Sequence, residues 1–143
     1  MDSMNTSNLL RVVADTNVYF ISLYNPESKA GKLLTAAIEK KVTLFSPDTV
    51  REELKRILIR ELGFAENGAE NVIIYLPVTW VGKEVYANYM KDAFVIKHTP
   101  DRPVLATALA MSTGIITANI KDFKPAQKIV KLWKIDELLK AVG

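Results

Sequence analysis

The sequence predicts a three-layer α/β/α sandwich built on a mostly parallel central sheet. Short β-branched apolar runs alternate with stretches of helical periodicity, and those stretches are long enough to serve as crossovers between parallel strands. A hydrophobic content of 49% in 143 residues is enough for one substantial core. A single domain over residues 1–143 is therefore expected, with residues 1–8 as a flexible N-terminus.

The first run, "LLRVVA" at residues 9–14, is bounded by polar turn residues and reads as a buried strand. In "PESKAGKLLTAAIEKK" the apolar residues Ala30, Leu33, Leu34, Ala37 and Ile38 recur at helical spacing. "VTLF" supplies a second strand, and "SPDTVREELKRILIREL" a helix that Ser46 is expected to cap, with Pro47 at its first position. Between residues 63 and 97, "AENVIIYL" admits a helix, "VTWV" a strand and "KEVYANYMKDAFVI" a further helix. "RPVLATALAMS" reads as a helix stopped by Gly114, "IIT" and "KIVKLW" as strands, and "IDELLKAV" as a closing helix before Gly143. No repeat, linker-like tract or low-complexity segment divides the chain.

Composition removes several classes of function. Without cysteine there is neither a disulfide framework nor a thiolate metal site, which agrees with a reducing compartment. The polar start "MDSMNTSN" lacks a signal-peptide pattern, and no apolar run approaches the roughly 20 residues of a membrane span, so a cytoplasmic, non-membrane protein is expected. A formal charge of +3 is compatible with a nucleic-acid partner but too small to require one.

Four acidic positions stand out, each with a structural reading beside the functional one. Asp15, in "ADTNVYF", ends the first strand, where open parallel sheets bind ligands; it also suits an Asx-turn. On the helix after "VTLF" the apolar stripe is Val50, Leu54, Ile57 and Leu58. Helical phase puts Glu53 at the border of that stripe and turns Glu52 away, toward a surface pair with Arg56; Glu53 could equally pair with Arg56. Asp101 precedes a helix with Pro103 in its first turn and could be only its N-cap. In "GIITANIKDF" a short strand runs into Thr117, Asn119 and Asp122, polar groups again at a strand's end.

In this order, "ADTNVYF", "EELKRIL", "DRPVLATALA" and "ITANIKDF" resemble the PIN domain, a small α/β/α metal-dependent nuclease fold that includes the ribonucleases of prokaryotic toxin–antitoxin pairs. The resemblance spans residues 11 to about 135, nearly the whole chain. It implies catalytic roles for Asp15, Glu53, Asp101 and Asp122, metal coordination by Asp15, Glu53, Asp101 and Asn119, and substrate contacts from Thr16, Asn17, Thr117 and Lys121. The last motif departs from the family's four-acid pattern: Asn119 stands where many members carry Asp, and Asp122 is the nearby acid that could supply the missing charge. His98 stands near the place of an additional Asp found in some relatives.

Such a cluster has a chemical rationale, because phosphodiester hydrolysis builds negative charge on phosphorus-bound oxygens and a hard divalent cation on oxygen ligands can neutralise it and activate water. Mg²⁺ or Mn²⁺ is the implied cofactor. The implied function is a metal-dependent endoribonuclease acting on RNA, single-stranded by expectation, and the toxin of a toxin–antitoxin pair; a catalytically weak or inactive PIN-like module that binds RNA or protein is the alternative. An antitoxin partner and a homodimer are implied with it. One histidine cannot form a two-histidine ribonuclease site, and no Walker or Gly-x-Gly-x-x-Gly motif is present. His98 reads as a loop residue without a role. Arg51, Lys55, Arg56 and Arg60 on one helix, and Lys121, Lys124, Lys128, Lys131 and Lys134 near the C-terminus, could meet phosphates but read mainly as solvated faces. Trp80 and Trp133 read as packing residues.

Overall fold

Strand β1 (Leu10–Ala14) lies at the middle of a five-stranded parallel sheet, in the computed structural model that describes residues 10–143. The expectation of a flexible segment at residues 1–8 lies outside the described residues. Strands β2 (Val42–Pro47) and β3 (Val78–Val81) succeed β1 on one side, and β4 (Gly114–Ile116) and β5 (Leu132–Trp133) on the other, giving the order β3-β2-β1-β4-β5. Right-handed crossovers in opposite directions put the connecting helices on opposite faces of the sheet. Helices α1 (Thr16–Tyr24), α2 (Lys29–Ile38), α3 (Asp48–Leu62) and α4 (Glu66–Ile74) pack together on one face, where α8 (Ile135–Val142) returns to lie against α2. The other face carries α5 (Lys83–Tyr86), the 3-10 segment Ala87–Val95 and α6 (Arg102–Met111), which packs on β1 and β2. Short α7 (Ile120–Phe123) follows β4. The predicted α/β/α sandwich is the observed architecture.

Toward their carboxyl ends β1 and β4 lack an exposed face. Val12, Val13 and Ala14 are fully buried, as are Ile115 and Ile116, which explains why these strands read as continuous apolar runs rather than alternating ones. On α3, Val50, Leu54 and Leu58 point into the core and Gly63 ends the helix in the left-handed conformation at φ 72°, the residue type least penalised there. At Gly31 a Cβ would collide with the Pro26 carbonyl oxygen, so only glycine lets α2 approach the turn that joins it to α1.

Several local expectations need correction. Residues 16–24 form a helix that periodicity did not reveal: "TNVYFISLY" is apolar on most sides and rich in β-branched and aromatic residues, which favour strands locally. Ser46 does not cap α3; it is the last-but-one residue of β2, and Pro47 occupies the N-cap position without a side-chain bond. "KEVYANYMKDAFVI" is helical for one turn only and continues as 3-10 structure. Helix α6 is stopped by Ser112, left-handed at φ 54°, while Gly114 opens β4, where a Cβ would crowd the Lys131 carbonyl at 2.7 Å. Among the described residues no helix is long and apolar enough to cross a membrane.

Candidate active site

The strand order reverses direction at β1, since β2 lies on one side of it and β4 on the other, and in parallel α/β sheets the crevice at such a switch point is where ligands bind. Register takes the chemistry there directly. Ala14 pairs with Ile116, so the next residues, Asp15 and Thr117, leave the sheet side by side. The Thr117 hydroxyl donates to Asp15 Oδ2 at 2.7 Å, and the Val18 N–H donates to Oδ1 at 3.4 Å as Asp15 caps α1. The turn-like and the site-like readings of Asp15 are thus both features of one buried side chain, because the cap leaves the carboxylate facing the crevice.

The other acids arrive from separate elements. Glu53, one turn into α3, accepts the Thr16 hydroxyl at 2.6 Å, a bond that joins the helix after β2 to the first residue of α1. Neither the Glu53–Arg56 nor the Glu52–Arg56 pair forms among the described residues, and Glu52 is exposed. Asp101 sits at the N-cap position of α6 but makes no capping bond; its Oδ2 is 3.0 Å from His98 Nδ1. Asp122, on α7, is held by the Asn119 side-chain amide at 2.9 Å, while the Asn119 backbone N–H donates to Thr117 Oγ1 at 3.0 Å. The chain Asp122–Asn119–Thr117–Asp15 is continuous through hydrogen bonds.

These groups line a small cleft of ≈ 80 Å³, with Asp15, Thr16, Asn17, Glu53, His98, Asp101 and Asp122 around it and Val50 and Val104 among its apolar residues. Thr117 reaches it through Asp15. Asn119 and Lys121 do not line it: Asn119 braces Asp122, and Lys121 is exposed on α7. His98, read from sequence as a loop residue without a role, stands at the cleft beside Asp101.

Electrostatics distinguish this cleft from a cluster of caps. Burial pushes the Asp15 carboxyl up from its ordinary 3.8 to about 6, against the stabilising bonds from Thr117 and Val18, and the charges of Asp101 and Asp122 push the same way. Asp101 is also raised, mainly by burial and further by Asp122 and Glu53, with His98 opposing. No lysine or arginine pairs with Asp15, Glu53, Asp101 or Asp122 among the described residues. A divalent cation is the kind of ligand that relieves such repulsion, and donors that are oxygens, four of them carboxylates, with a single imidazole beside them suit a hard ion. Among the described residues no three acidic or histidine groups close on a common point, so the protein by itself does not present a complete coordination shell.

Two side chains outside the predicted set organise this end of the sheet. Ser46 Oγ, fully buried, donates to the Ala14 carbonyl oxygen at 2.6 Å and lies 2.6 Å from the Tyr19 hydroxyl. The carbonyl belongs to the residue before Asp15, so β2 and α1 together fix the peptide that carries the first acid. The available signal was the pair of polar residues, Ser46 and Tyr19, inside apolar runs.

Comparison with known proteins agrees with this fold. In fold the chain is similar to DNA-bound VapBC from Salmonella typhimurium, with a TM-score of 0.69 and 12% identity over 89% of this chain and 99% of that one. It is also similar to VapBC2 from Rickettsia felis bound to a DNA fragment from their promoter, with a TM-score of 0.64 and 17% identity over 87% and 98% of the two chains. No curated protein matches by sequence. The sequence model of the PIN domain, however, matches residues 11–121, from β1 through the loop that carries Asn119. The chain belongs to the PIN domain family.

Proposed function

We propose that this protein is an endoribonuclease that hydrolyses RNA phosphodiester bonds with Mg²⁺ or Mn²⁺, and that it acts as the toxin of a toxin–antitoxin pair. The observation that carries the reading is the convergence of Asp15, Glu53, Asp101 and Asp122 on one cleft with no lysine or arginine partner among the described residues. A structural cluster would compensate its charges; a site for a cation leaves them open at the expense of stability. Membership of the PIN family supports nuclease chemistry, and the two solved VapBC structures described above support a protein antitoxin as partner.

Asp15, Glu53 and Asp101 would hold the ion, with Asp122 at the opposite end of the Asn119 brace. When bound, the ion supplies charge neutralisation at the scissile phosphate and a water of lowered pKa. The chain's own residues orient these donors. Thr117 and Val18 each hold one Asp15 oxygen, Thr16 restrains Glu53, and Asn119 fixes Asp122. Asn119 in this arrangement is a positioning residue, and Asp122 is the charged member of the last motif. His98 is within hydrogen-bond distance of Asp101 and can hold that carboxylate in place.

A second reading, a PIN-like module that binds RNA or protein without cutting, draws on the separation of the acids and the neutral amide at Asn119. Incubation of single-stranded RNA with the protein in Mg²⁺, Mn²⁺ or EDTA separates the two. The nuclease reading expects metal-dependent cleavage that Glu53→Gln abolishes and exposed Glu52→Gln leaves within about three-fold. Absence of cleavage in both metals, or equal loss in the two variants, would overturn it.

A further inference from the structure

A second groove, ≈ 390 Å³, opens on the far side of the loop that carries Thr117 and Asn119, lined by Lys29, Ala118, Ile120, Lys134, Ile135 and Asp136 besides those two residues. We propose that it holds one nucleotide of single-stranded RNA adjacent to the bond that is cut, with the base on the apolar floor of Ala118, Ile120 and Ile135 and its phosphate at Lys134. The inference rests on the nuclease reading for the position of the cut bond, but the binding it describes is measurable without cleavage.

Continuity is the first support. One loop links the two cavities: Thr117 and Asn119 line the groove, and their hydrogen bonds hold Asp15 and Asp122, which line the cleft. A chain with its phosphate in the cleft therefore meets this groove across a single loop.

Charge complementarity is the second. The basic helix α3, the more conspicuous candidate in the sequence, is largely neutralised by its neighbours: Arg51 pairs with Glu70 at 2.9 Å, Lys55 with Glu66 and Glu70 at 3.3 and 3.2 Å, and Arg60 with Glu61 at 3.0 Å. In the groove Lys29 is likewise held by Asp136 at 2.7 Å. Lys134 is exposed and makes no ion pair among the described residues; its backbone N–H, not its ammonium, is what bonds to Glu137. The groove thus combines apolar walls with a cation that forms no ion pair among the described residues and acts on Asp136 only through space.

The third support is chemical class. A nucleobase can reach an apolar floor only if it is unpaired and unstacked, which selects single strands over duplexes. With no aromatic side chain in the lining, base identity is read weakly there, and the phosphate contact carries most of the affinity.

Fluorescence anisotropy of a labelled single-stranded RNA oligonucleotide, titrated in EDTA with the Glu53→Gln protein, tests the proposal. Adding Lys134→Glu should weaken binding about ten-fold, and Lys134→Arg should stay within about two-fold of the parent, as expected for a phosphate contact. Lys140→Glu, the same charge change in the last turn of α8, should also stay within about two-fold. In the active protein Lys134→Glu should raise KM by a similar factor and leave kcat within about two-fold. A Kd for Lys134→Glu within two-fold of the parent, an equal loss in Lys140→Glu, or an equal loss for duplex RNA would overturn the subsite. Failure of the wild type to cleave in any metal would instead count against the nuclease reading, and the anisotropy comparison would still decide the groove.

Discussion

Asp15 shows how one side chain can satisfy local structure and still carry an unrelieved charge. Its proton is held to about pH 6 in the folded protein, against 3.8 when exposed, so the folded state binds more protons between those values. The associated stability is complete below pH 3.8 and is lost as the pH rises through about 6. The difference in pKa corresponds to roughly 3 kcal/mol. Urea unfolding of the metal-free protein at pH 5 and pH 7.5 should therefore show lower stability at the higher pH, with Asp101 adding in the same direction. Asp15→Asn, which retains a capping oxygen for Val18, should flatten that dependence and be the more stable protein at pH 7.5. An unchanged pH dependence in Asp15→Asn would show that the buried carboxylate is not its source.

At the scale of elements, the ends of β1, β2 and α1 are tied by the bonds of Ser46 to Ala14 and Tyr19. Ser46→Ala leaves a buried carbonyl and a buried phenol each without its present partner, and should lower stability by about 1–3 kcal/mol in chemical denaturation. Ser46→Thr, which keeps the hydroxyl, should recover part of that loss; equal destabilisation in both would assign the effect to packing rather than to the hydroxyl. This junction also marks where the sequence ceased to be legible. The apolar runs of β1, β2 and β4 and the stripe of α3 were readable because burial writes its period locally. Helix α1 was not, because its buried residues Val18, Tyr19 and Ser22 lie in a stretch with no polar face, and its start depends on a cap that doubles as a site. Ser46 resembled a helix cap by position and composition; its partners are 32 and 27 residues away, which no local pattern encodes.

Over the whole molecule, the sheet order β3-β2-β1-β4-β5 gathers acids from four segments, the most distant 107 residues apart in sequence, at the carboxyl ends of its middle strands. Helical phase separated Glu53 from Glu52, and position after a strand singled out Asp15 and the segment from Thr117 to Asp122. The bracing of Asp122 by Asn119 and the contact of His98 with Asp101 each span only three residues but carry no apolar period that would reveal them, whereas the groove beside α8 depends on contacts across elements. On the function proposed above, the four acids form one electrostatic unit that takes a divalent cation. Thermal melts in EDTA and in Mn²⁺ at pH 7.5, on wild type and Asp15→Asn, test it most directly. Mn²⁺ should raise the melting temperature of the wild type in a concentration-dependent way, and Asp15→Asn should melt higher than wild type in EDTA but gain little from Mn²⁺. A wild type indifferent to Mn²⁺, or an Asp15→Asn protein that gains as much as the wild type, would contradict it.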